Sequence, residues 1–492
     1  MLPSLLLLSS LASGVLVFIV RPDRFVWGVA FLGSCIALGF GVFVGVIAIT
    51  GGGIFGGGAW YLNGITGVMV VLIAVIQFTA TLVSISHLSH EVHHQVVTVA
   101  QARRYFALLS LFTLSMFASV MANNLGILWV ALEATTLATT LLVAFYARPG
   151  SLEAAWKYLT LCSVGIAIGL LGLFVAYYAA YVAHVGDRLT SIQWTTLFEN
   201  AHLLSPELMQ FAFVLVLIGY GTKAGFAPMH AWLPDAHSRA PAPISALLSG
   251  VLLPVAFFAV IRFKAIVDGA MGGSEWSSSL LIIFGVFSIV VSAIFIVRQS
   301  DYKRLLAYSS IEHMGIAACA FALGAFGSVI GLVHIVGHAL IKSALFFGAG
   351  ELFLRFKTTL CSRVGFISET LPLTATSFTI ALGALLAIPP SPLFFTEYQL
   401  VLYGMRFEPL SISLLLVALV VTAAGFMRTV VPLLVAPATA VETHEVPKGE
   451  FWTLAHVAVY VHLLLAVMLG VMVWTPQGLA FFAHISMVSP HI

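Results

Sequence analysis

Charged residues are scarce in this chain. Aspartate, glutamate, lysine and arginine make up only 8% of its 492 residues, whereas 61% are hydrophobic, and the mean hydropathy is +1.08. A soluble globular domain has about a quarter charged residues. The longest polar stretches, 87–104, 184–209 and 436–450, are each shorter than about thirty residues, too short for a sizeable soluble domain. The composition therefore predicts an all-α polytopic membrane protein, and a net charge of +2 gives no indication of nucleic-acid binding.

Cysteine is also rare, and no two cysteines are close in sequence. The four cysteines are Cys35, Cys162, Cys319 and Cys361, with no Cys-x-x-Cys pair among them. Such spacing argues against a disulfide framework, an iron–sulfur cluster or a zinc knuckle. Any redox chemistry is therefore expected in partner proteins rather than in this chain.

Long apolar runs dominate what remains. Because one membrane span needs about twenty apolar residues, the sequence predicts fourteen helices, at 3–20, 26–49, 60–87, 104–122, 124–147, 157–183, 210–230, 241–261, 279–298, 303–323, 325–354, 371–405, 410–434 and 451–474. The first run has no basic residues before it and no A-x-A site after it, so we interpret it as a helix rather than a signal peptide.

Lysines and arginines are unevenly distributed between the loops: fourteen lie in odd-numbered loops and four in even-numbered loops. This bias predicts a cytoplasmic-membrane protein with both termini on the non-cytoplasmic side.

Two of these helices contain both a break and an ionisable residue. The seventh carries Lys223 and is interrupted near Pro228. The twelfth carries Glu397 and is interrupted by Pro389, Pro390 and Pro392. The two ionisable residues lie 174 positions apart, about the length of five helices with their loops. Inverted repeats with discontinuous helices in corresponding positions indicate a transport site. We therefore divide the chain into helices 1–3 (1–103), a first five-helix repeat (104–265), a second repeat (279–434) and a C-terminal unit (435–492).

Titratable residues recur near the middle of the predicted spans, where they are costly and typical of ion pathways. They are Glu133, Lys223, His313, His334, His338, Lys342 and Glu397. His334, His338 and Lys342 are spaced i, i+4, i+8 and so share one helix face. A line of this kind could conduct protons, because imidazole exchanges protons near neutral pH. The alternative is a set of separate polar groups that are hydrogen-bonded within the bundle.

Glu133 and Lys223 suggest a protonation switch. A neighbouring carboxylate keeps a buried lysine charged, whereas desolvation favours loss of its proton. Movement of the carboxylate would then make the lysine hold or release a proton. The alternative is a static ion pair that only fixes helix packing.

The histidine-rich segment at the end of the third helix offers a different function. His90, Glu91 and His94 satisfy the H-E-x-x-H pattern, in which two histidines bind zinc and the glutamate acts as a base. No third ligand follows at a recognisable spacing. A membrane zinc protease is therefore an alternative hypothesis, beside an incidental metal or proton-collecting site and a solvated turn at the membrane surface.

Four motifs resemble the antiporter-like, proton-pumping membrane subunits of respiratory complex I and its relatives, in particular the component F group of hydrogenase-4. They are ALEATTL at 131–137, EAAWKY at 153–158, GYGTKAG at 219–225 and WLPDAHSRAP at 232–241. The resemblance also extends to complex I chain M/4 and to the D component of the multisubunit sodium/proton antiporters.

The resemblance implies two inverted repeats, Glu133 and Lys223 as a coupled pair, the histidines of helices 10 and 11 as a central relay, and Glu397 as the distal exchange residue. Many relatives have a relay lysine in helix 8, whereas here Gly250 is followed by Pro254. We therefore expect His237 or water to serve there. The expected partners are other subunits of a redox complex, which would hold iron–sulfur, nickel–iron or flavin centres, with none in this chain. Protons are the expected ion, with sodium as the alternative.

Overall fold

The protein, described from a computed structural model, is almost entirely helical over residues 2–51, 54–56, 58–187, 189–437 and 449–487. Its α-helices are α1 (Leu2–Ile19), α2 (Val26–Thr50), α3 (Gly64–His93), α4 (Val99–Met121), α5 (Leu125–Val143), α6 (Pro149–Val182), α7 (Trp194–Glu199), α8 (Pro206–Ala224), α9 (Leu233–Arg239), α10 (Ala242–Leu247), α11 (Leu253–Met271), α12 (Glu275–Ile296), α13 (Tyr302–Ala322), α14 (Gly324–Phe356), α15 (Ile367–Thr370), α16 (Pro372–Leu385), α17 (Pro392–Gly404), α18 (Pro409–Val435), α19 (Leu454–Met472) and α20 (Pro476–Met487). A short antiparallel hairpin, β1 (Ile54–Gly56) and β2 (Trp60–Leu62), joins α2 to α3.

The predicted membrane fold is confirmed. Within the described residues, thirteen helical segments are long and apolar enough to cross a membrane. The predicted twelfth helix is divided into α16 and α17, both shorter than a full span. The predicted eighth helix consists of α10, a π-helical turn at Leu248–Leu252, and α11.

His313, His334, His338 and Lys342 lie on two of the most enclosed helices, α13 and α14. In an apolar stretch of 18 residues, every residue is buried in Ala242–Met271 and in Tyr302–Ala322, and 94% are buried in Gly324–Phe356, whereas only 28% are buried in Leu2–Ile19. A helix that is buried on every side contacts protein rather than lipid. Polar side chains on these central helices can therefore be satisfied by their neighbours, as a membrane interior requires.

Several helix boundaries differ from the sequence prediction, including the end of α3 and the start of α6. The helix α3 continues to His93, so the histidine-rich segment is mostly helical rather than a loop. The helix α6 begins at Pro149, because the Ser151 hydroxyl accepts a hydrogen bond from the Arg148 amide and donates one to the Arg148 carbonyl, at 3.0 and 2.9 Å, and proline is well suited to the first turn. The predicted start of this helix is later, at residue 157, because the prediction follows the apolar run and not the polar residues of the first turns. The predicted C-terminal unit includes 438–448 and 488–492, which lie outside the described residues.

Candidate functional site

Lys223 lies at the C-terminal end of the broken helix α8 and has no exposed surface. Its Nζ donates a hydrogen bond to Thr136 Oγ1 at 2.5 Å. The hydroxyl of Thr136 in turn donates to Glu133 Oε2 at 3.3 Å. The lysine and the glutamate are therefore joined through a threonine hydroxyl rather than by direct contact.

Glu133 lies on α5 where that helix packs against α6, and it is partly exposed. Its second carboxylate oxygen, Oε1, accepts a hydrogen bond of 2.7 Å from Ser163 Oγ. Thr136 follows Glu133 by three positions, so the two side chains share one face of α5. This hydrogen-bonded group consists of Ser163, Glu133, Thr136 and Lys223, and it connects α5, α6 and α8.

The helix break beside Lys223 follows from glycine and proline. Gly225 ends α8 in the left-handed conformation, with φ +85°, which suits glycine because it has no Cβ. Trp232 Nε1 donates to the Thr222 carbonyl at 2.9 Å, which supplies a donor to a carbonyl at the end of the helix. The C-terminal end of a helix attracts positive charge, so the break also favours a cation at Lys223.

His237 is the next buried titratable group along the chain. It has no exposed surface, and neither ring nitrogen has a hydrogen-bond partner among the described residues. Its ring is stacked between Trp232, at 6.5 Å between centroids, and Phe346, at 5.4 Å. Buried polar groups normally have a partner. His237 is therefore suited to contact a water molecule.

The helix that lacks the relay lysine is distorted instead. A π-helical turn spans Leu248–Leu252 just before Pro254, and the Leu253 amide donates to the Leu248 carbonyl. Proline has no amide hydrogen to give to the carbonyl four residues earlier. At Gly250 a Cβ would lie 2.8 Å from Ser343 Oγ and 3.1 Å from the Ala339 carbonyl. The glycine therefore lets α14 approach this turn closely.

Lys342 on α14 resembles Lys223 in its surroundings. It has no exposed surface, and its Nζ donates to Ser309 Oγ at 2.5 Å and to the Leu306 carbonyl. One turn earlier, His338 has no partner for either ring nitrogen among the described residues. The His338 ring lies 5.2 Å from that of His313.

A continuous hydrogen-bonded chain leads from α13 to α17. His313 Nδ1 lies 3.2 Å from His334 Nε2, and His334 Nδ1 lies 2.8 Å from Thr396 Oγ1. Thr396 directly precedes Glu397 on α17, which begins after the Pro389–Pro392 break. Ser391 joins the two half-helices, because its Oγ donates to the Ala384 carbonyl and accepts from the Leu393 amide.

Several connecting residues were not singled out by the sequence analysis. They are Thr136, Ser163, Ser309 and Thr396. Each hydroxyl except that of Ser163 lies one to four positions from a named titratable residue on the same helix. That spacing is a usable signal. Small hydroxylated residues are nevertheless so frequent in membrane helices that spacing alone does not separate them from packing residues.

The H-E-x-x-H segment is engaged in other contacts. Glu91 is 5% exposed and its Oε1 accepts a 2.9 Å hydrogen bond from the Tyr146 hydroxyl. Burial and the nearby Glu91 carboxylate raise the pKa of Tyr146 well above its usual value. The rings of His90 and His94 lie 4.4 Å apart. Across the described part of the chain, no three histidine, cysteine, aspartate or glutamate residues are grouped as metal ligands.

A cavity of about 360 Å³, lined by both apolar and charged side chains, opens beside this segment. Four cationic residues line it, namely Arg148, Arg239, Lys303 and Lys357. His87 also lines it and contacts Glu351, with 2.8 Å between Nε2 and Oε1. The buried pair of His87 and Glu351 therefore lies next to a cavity that opens toward the surface.

Comparison with known proteins identifies a family. The protein-family model described as NADH:quinone oxidoreductase/Mrp antiporter, TM, matches residues 122–423 of this chain. A hydrogenase-4 component F homolog of Methylacidiphilum infernorum is 34% identical over 424 residues, which cover 86% of this chain and 87% of that protein. NADH-quinone oxidoreductase subunit N of Desulforudis audaxviator is 28% identical over 371 residues, covering 75% of this chain and 71% of that protein.

The fold is shared with a solved membrane complex. A chain of the membrane-bound sulfane sulfur reductase, an archaeal respiratory membrane complex, superimposes with a TM-score of 0.85 at 23% identity. The superposition covers 99% of this chain and 98% of that chain.

Proposed function

Because the chain belongs to the NADH:quinone oxidoreductase/Mrp antiporter membrane family, we propose that it is the proton-translocating subunit of a redox-driven membrane complex of the hydrogenase or complex I type. The family assignment confirms the resemblance expected from the four sequence motifs. In this proposal the chain transfers no electrons, and the redox centres belong to partner subunits. The complex lies in the cytoplasmic membrane, with both termini of this chain on the non-cytoplasmic side.

The hydrogen-bonded connection of Glu133, Thr136 and Lys223 carries the proposal. A wholly buried lysine has a neutral hydroxyl as its nearest partner, and the carboxylate lies beyond that hydroxyl. The attraction between unlike charges rises as they approach in a poorly solvated site. A change in the position or charge of Glu133 would therefore change how firmly Lys223 holds its proton. Electron transfer in a partner would act through this change.

The second half of the chain supplies a route away from Lys223. His237 and His338 have unpartnered ring nitrogens, which water could connect to Lys342. The contacts His313–His334 and His334–Thr396 then lead toward Glu397. Lysine and histidine bind protons rather than alkali cations, so this composition favours protons over sodium as the transported ion. It also favours transport over the zinc-protease hypothesis.

The cavity of about 360 Å³ beside α3 supplies an entrance in this scheme. Arg148, Arg239 and Lys357, which line it, belong to odd-numbered loops that the lysine and arginine bias assigns to the cytoplasm. His87 lines the cavity, and its Nε2 lies 2.8 Å from Glu351 Oε1. A histidine and a carboxylate in contact can accept protons from water and pass them inward.

The direct test compares proton translocation and electron transfer in sealed vesicles that contain the whole complex. The variants are Lys223→Ala and Glu133→Gln, at matched levels of assembly. We expect electron transfer to persist while the protons moved per electron fall in both. Unchanged translocation in both variants would show that this subunit is a scaffold.

A further inference from the structure

A small cavity lies between α13, α17 and α18, on the far side of the Lys342 site. Its volume is about 50 Å³. Five of its lining residues are polar: Ser309, Glu312, His313, Glu397 and Thr422. A buried water needs a cavity of about 10–15 Å³ and two to four polar partners. This cavity therefore has both the room and the chemistry to hold water.

Two buried oxygen atoms in this cavity lack a standard hydrogen bond. Glu312 is 1% exposed and Thr422 is 3% exposed. Glu312 Oε1 and Thr422 Oγ1 make no hydrogen bond of standard length and angle among the described residues, although the Thr422 hydroxyl is near enough to act on the Glu312 carboxylate. Oxygen atoms buried in this way are normally hydrogen-bonded to protein or to ordered water. Both residues line the cavity, so water within it can supply the missing bonds.

Residues on two sides of the cavity connect it to Lys342 and to Glu397. Ser309, which accepts the hydrogen bond from Lys342, lies three positions before Glu312 and four before His313 on α13. These three side chains therefore share one helix face. On the opposite side, Glu397 belongs to α17 and Thr422 to α18. The cavity thus lies between the buried lysine and the carboxylate predicted to exchange protons with the outside.

We propose that Glu312 is a proton-carrying residue that shares a hydrated cavity with Glu397 and connects Lys342 to it. The inference rests on the proposed function and adds a residue and a step to it. The Ser309 hydroxyl donates to the Leu306 carbonyl at 3.0 Å, and in this step it turns toward Glu312 and relays a proton from the Lys342 ammonium to the Glu312 carboxylate. The transfer leaves a neutral amine and a neutral carboxyl group. Glu312 then gives the proton to cavity water, while the same water gives a proton to the Glu397 carboxylate.

The two carboxylates also limit the charge that the cavity holds. Like charges repel strongly in a poorly solvated site, so two neighbouring carboxylates ionise together only at high cost. When one carboxylate gains a proton, its negative charge is neutralised. The other carboxylate can then lose its proton without leaving two negative charges in the cavity. Transfer between Glu312 and Glu397 keeps the total charge of the pair constant at each step.

The test uses Glu312→Gln in the intact complex in sealed vesicles, with Glu275→Gln as the control. Glu275 is an exposed glutamate in the first turn of α12. We expect Glu312→Gln to lower proton translocation about a hundredfold, the lower range for a positioned proton-transfer group, with partial recovery in Glu312→Asp. We expect the Glu275→Gln control to translocate normally. The native complex should also show a redox-linked infrared signal of a protonated carboxyl group, absent from Glu312→Gln.

Other outcomes separate this inference from the proposed function. Normal translocation in Glu312→Gln together with loss in Lys223→Ala would overturn the role of Glu312 and leave the proposed function intact. Normal translocation in both would contradict both. Sodium-dependent activity that disappears in Glu312→Gln would instead identify the cavity as a sodium site.

A second variant keeps the test decisive if Glu312→Gln does not assemble. Thr422→Leu fills the cavity from the α18 side and leaves both carboxylates in place. We expect it to lower translocation, because it displaces the water between them. Undiminished translocation in Thr422→Leu would contradict the hydrated route.

Discussion

Both buried lysines have a neutral hydroxyl as a close hydrogen-bond partner. Thr136 accepts the bond from Lys223 and Ser309 accepts the bond from Lys342, each at 2.5 Å. A direct carboxylate contact would stabilise the charged form of each lysine much more strongly. A hydroxyl both accepts and donates hydrogen bonds, so it can pass a proton without becoming charged. The arrangement suits lysines that must gain and lose protons.

Removal of the Thr136 hydroxyl tests this interpretation. Thr136→Val keeps the shape but cannot join Lys223 to Glu133, whereas Thr136→Ser keeps the hydroxyl. We expect proton translocation to fall about tenfold or more in Thr136→Val, since hydrogen bonds to charged groups are worth about 1.5–3 kcal/mol. Thr136→Ser should retain most activity. Equal activity in the two variants, measured in vesicles, would show that the hydroxyl has no role.

A carboxylate outside the spans holds one half-helix in place. Glu450 Oε2 accepts hydrogen bonds from the Leu373 and Thr374 amides, at 2.8 and 3.0 Å, in the first turn of α16. His456 Nε2 lies 2.8 Å from Glu450 Oε1. Burial alone would raise the pKa of Glu450, but the hydrogen bonds from His456 and Thr374 outweigh it and hold the pKa below its usual value.

This contact predicts a pH-dependent stability. A lowered folded-state pKa means that the stabilisation is fully present above the unfolded value of about 4.3. It is then lost as the pH falls through the folded-state pKa. We expect Glu450→Gln to have a lower Tm than the native protein at pH 7, and the difference to disappear in acid. A constant difference at every pH would contradict this account.

At the scale of helices, hydropathy predicted most elements but not the detailed course of the chain. Spans such as α2 and α13 end within about two residues of their predicted limits, because their apolar runs have clear ends. The π-helical turn before Pro254 could not be predicted, since it depends on close packing against α14. The hydrogen bonds that join Lys223 to Glu133 through Thr136 also depend on tertiary packing, because they connect α8 to α5. The sequence placed Glu133 and Lys223 together but could not show what lies between them.

Close packing of α6 against α8 depends on glycine. A Cβ at Gly219 would lie 2.4 Å from the Gly169 amide nitrogen and 2.7 Å from the Gly165 carbonyl, both backbone atoms. We expect Gly219→Ala to destabilise the protein by about 1–3 kcal/mol, as overpacking generally does, and to lower its Tm. Gly39→Ala is the matched control, because no atom lies within 4 Å of a Cβ there. Equal Tm values in the two variants would contradict the close approach.

At the scale of the whole molecule, the proposed function joins two buried lysines on different helices into one proton route. Lys223 lies on α8 with partners on α5, and Lys342 lies on α14 with partners on α13. The unpartnered His237 and His338 are the groups through which water would connect them. The division of the chain into inverted repeats would place one lysine in each, and this division remains a proposal.

The most direct measurement is the number of protons translocated per electron in vesicles that contain the intact complex with Lys223→Ala, Lys342→Ala or both. A single route predicts that each variant loses translocation while electron transfer continues, and that the double variant loses no more than either single variant. Losses that are partial in each single variant and add in the double variant would contradict the single route and indicate two independent paths.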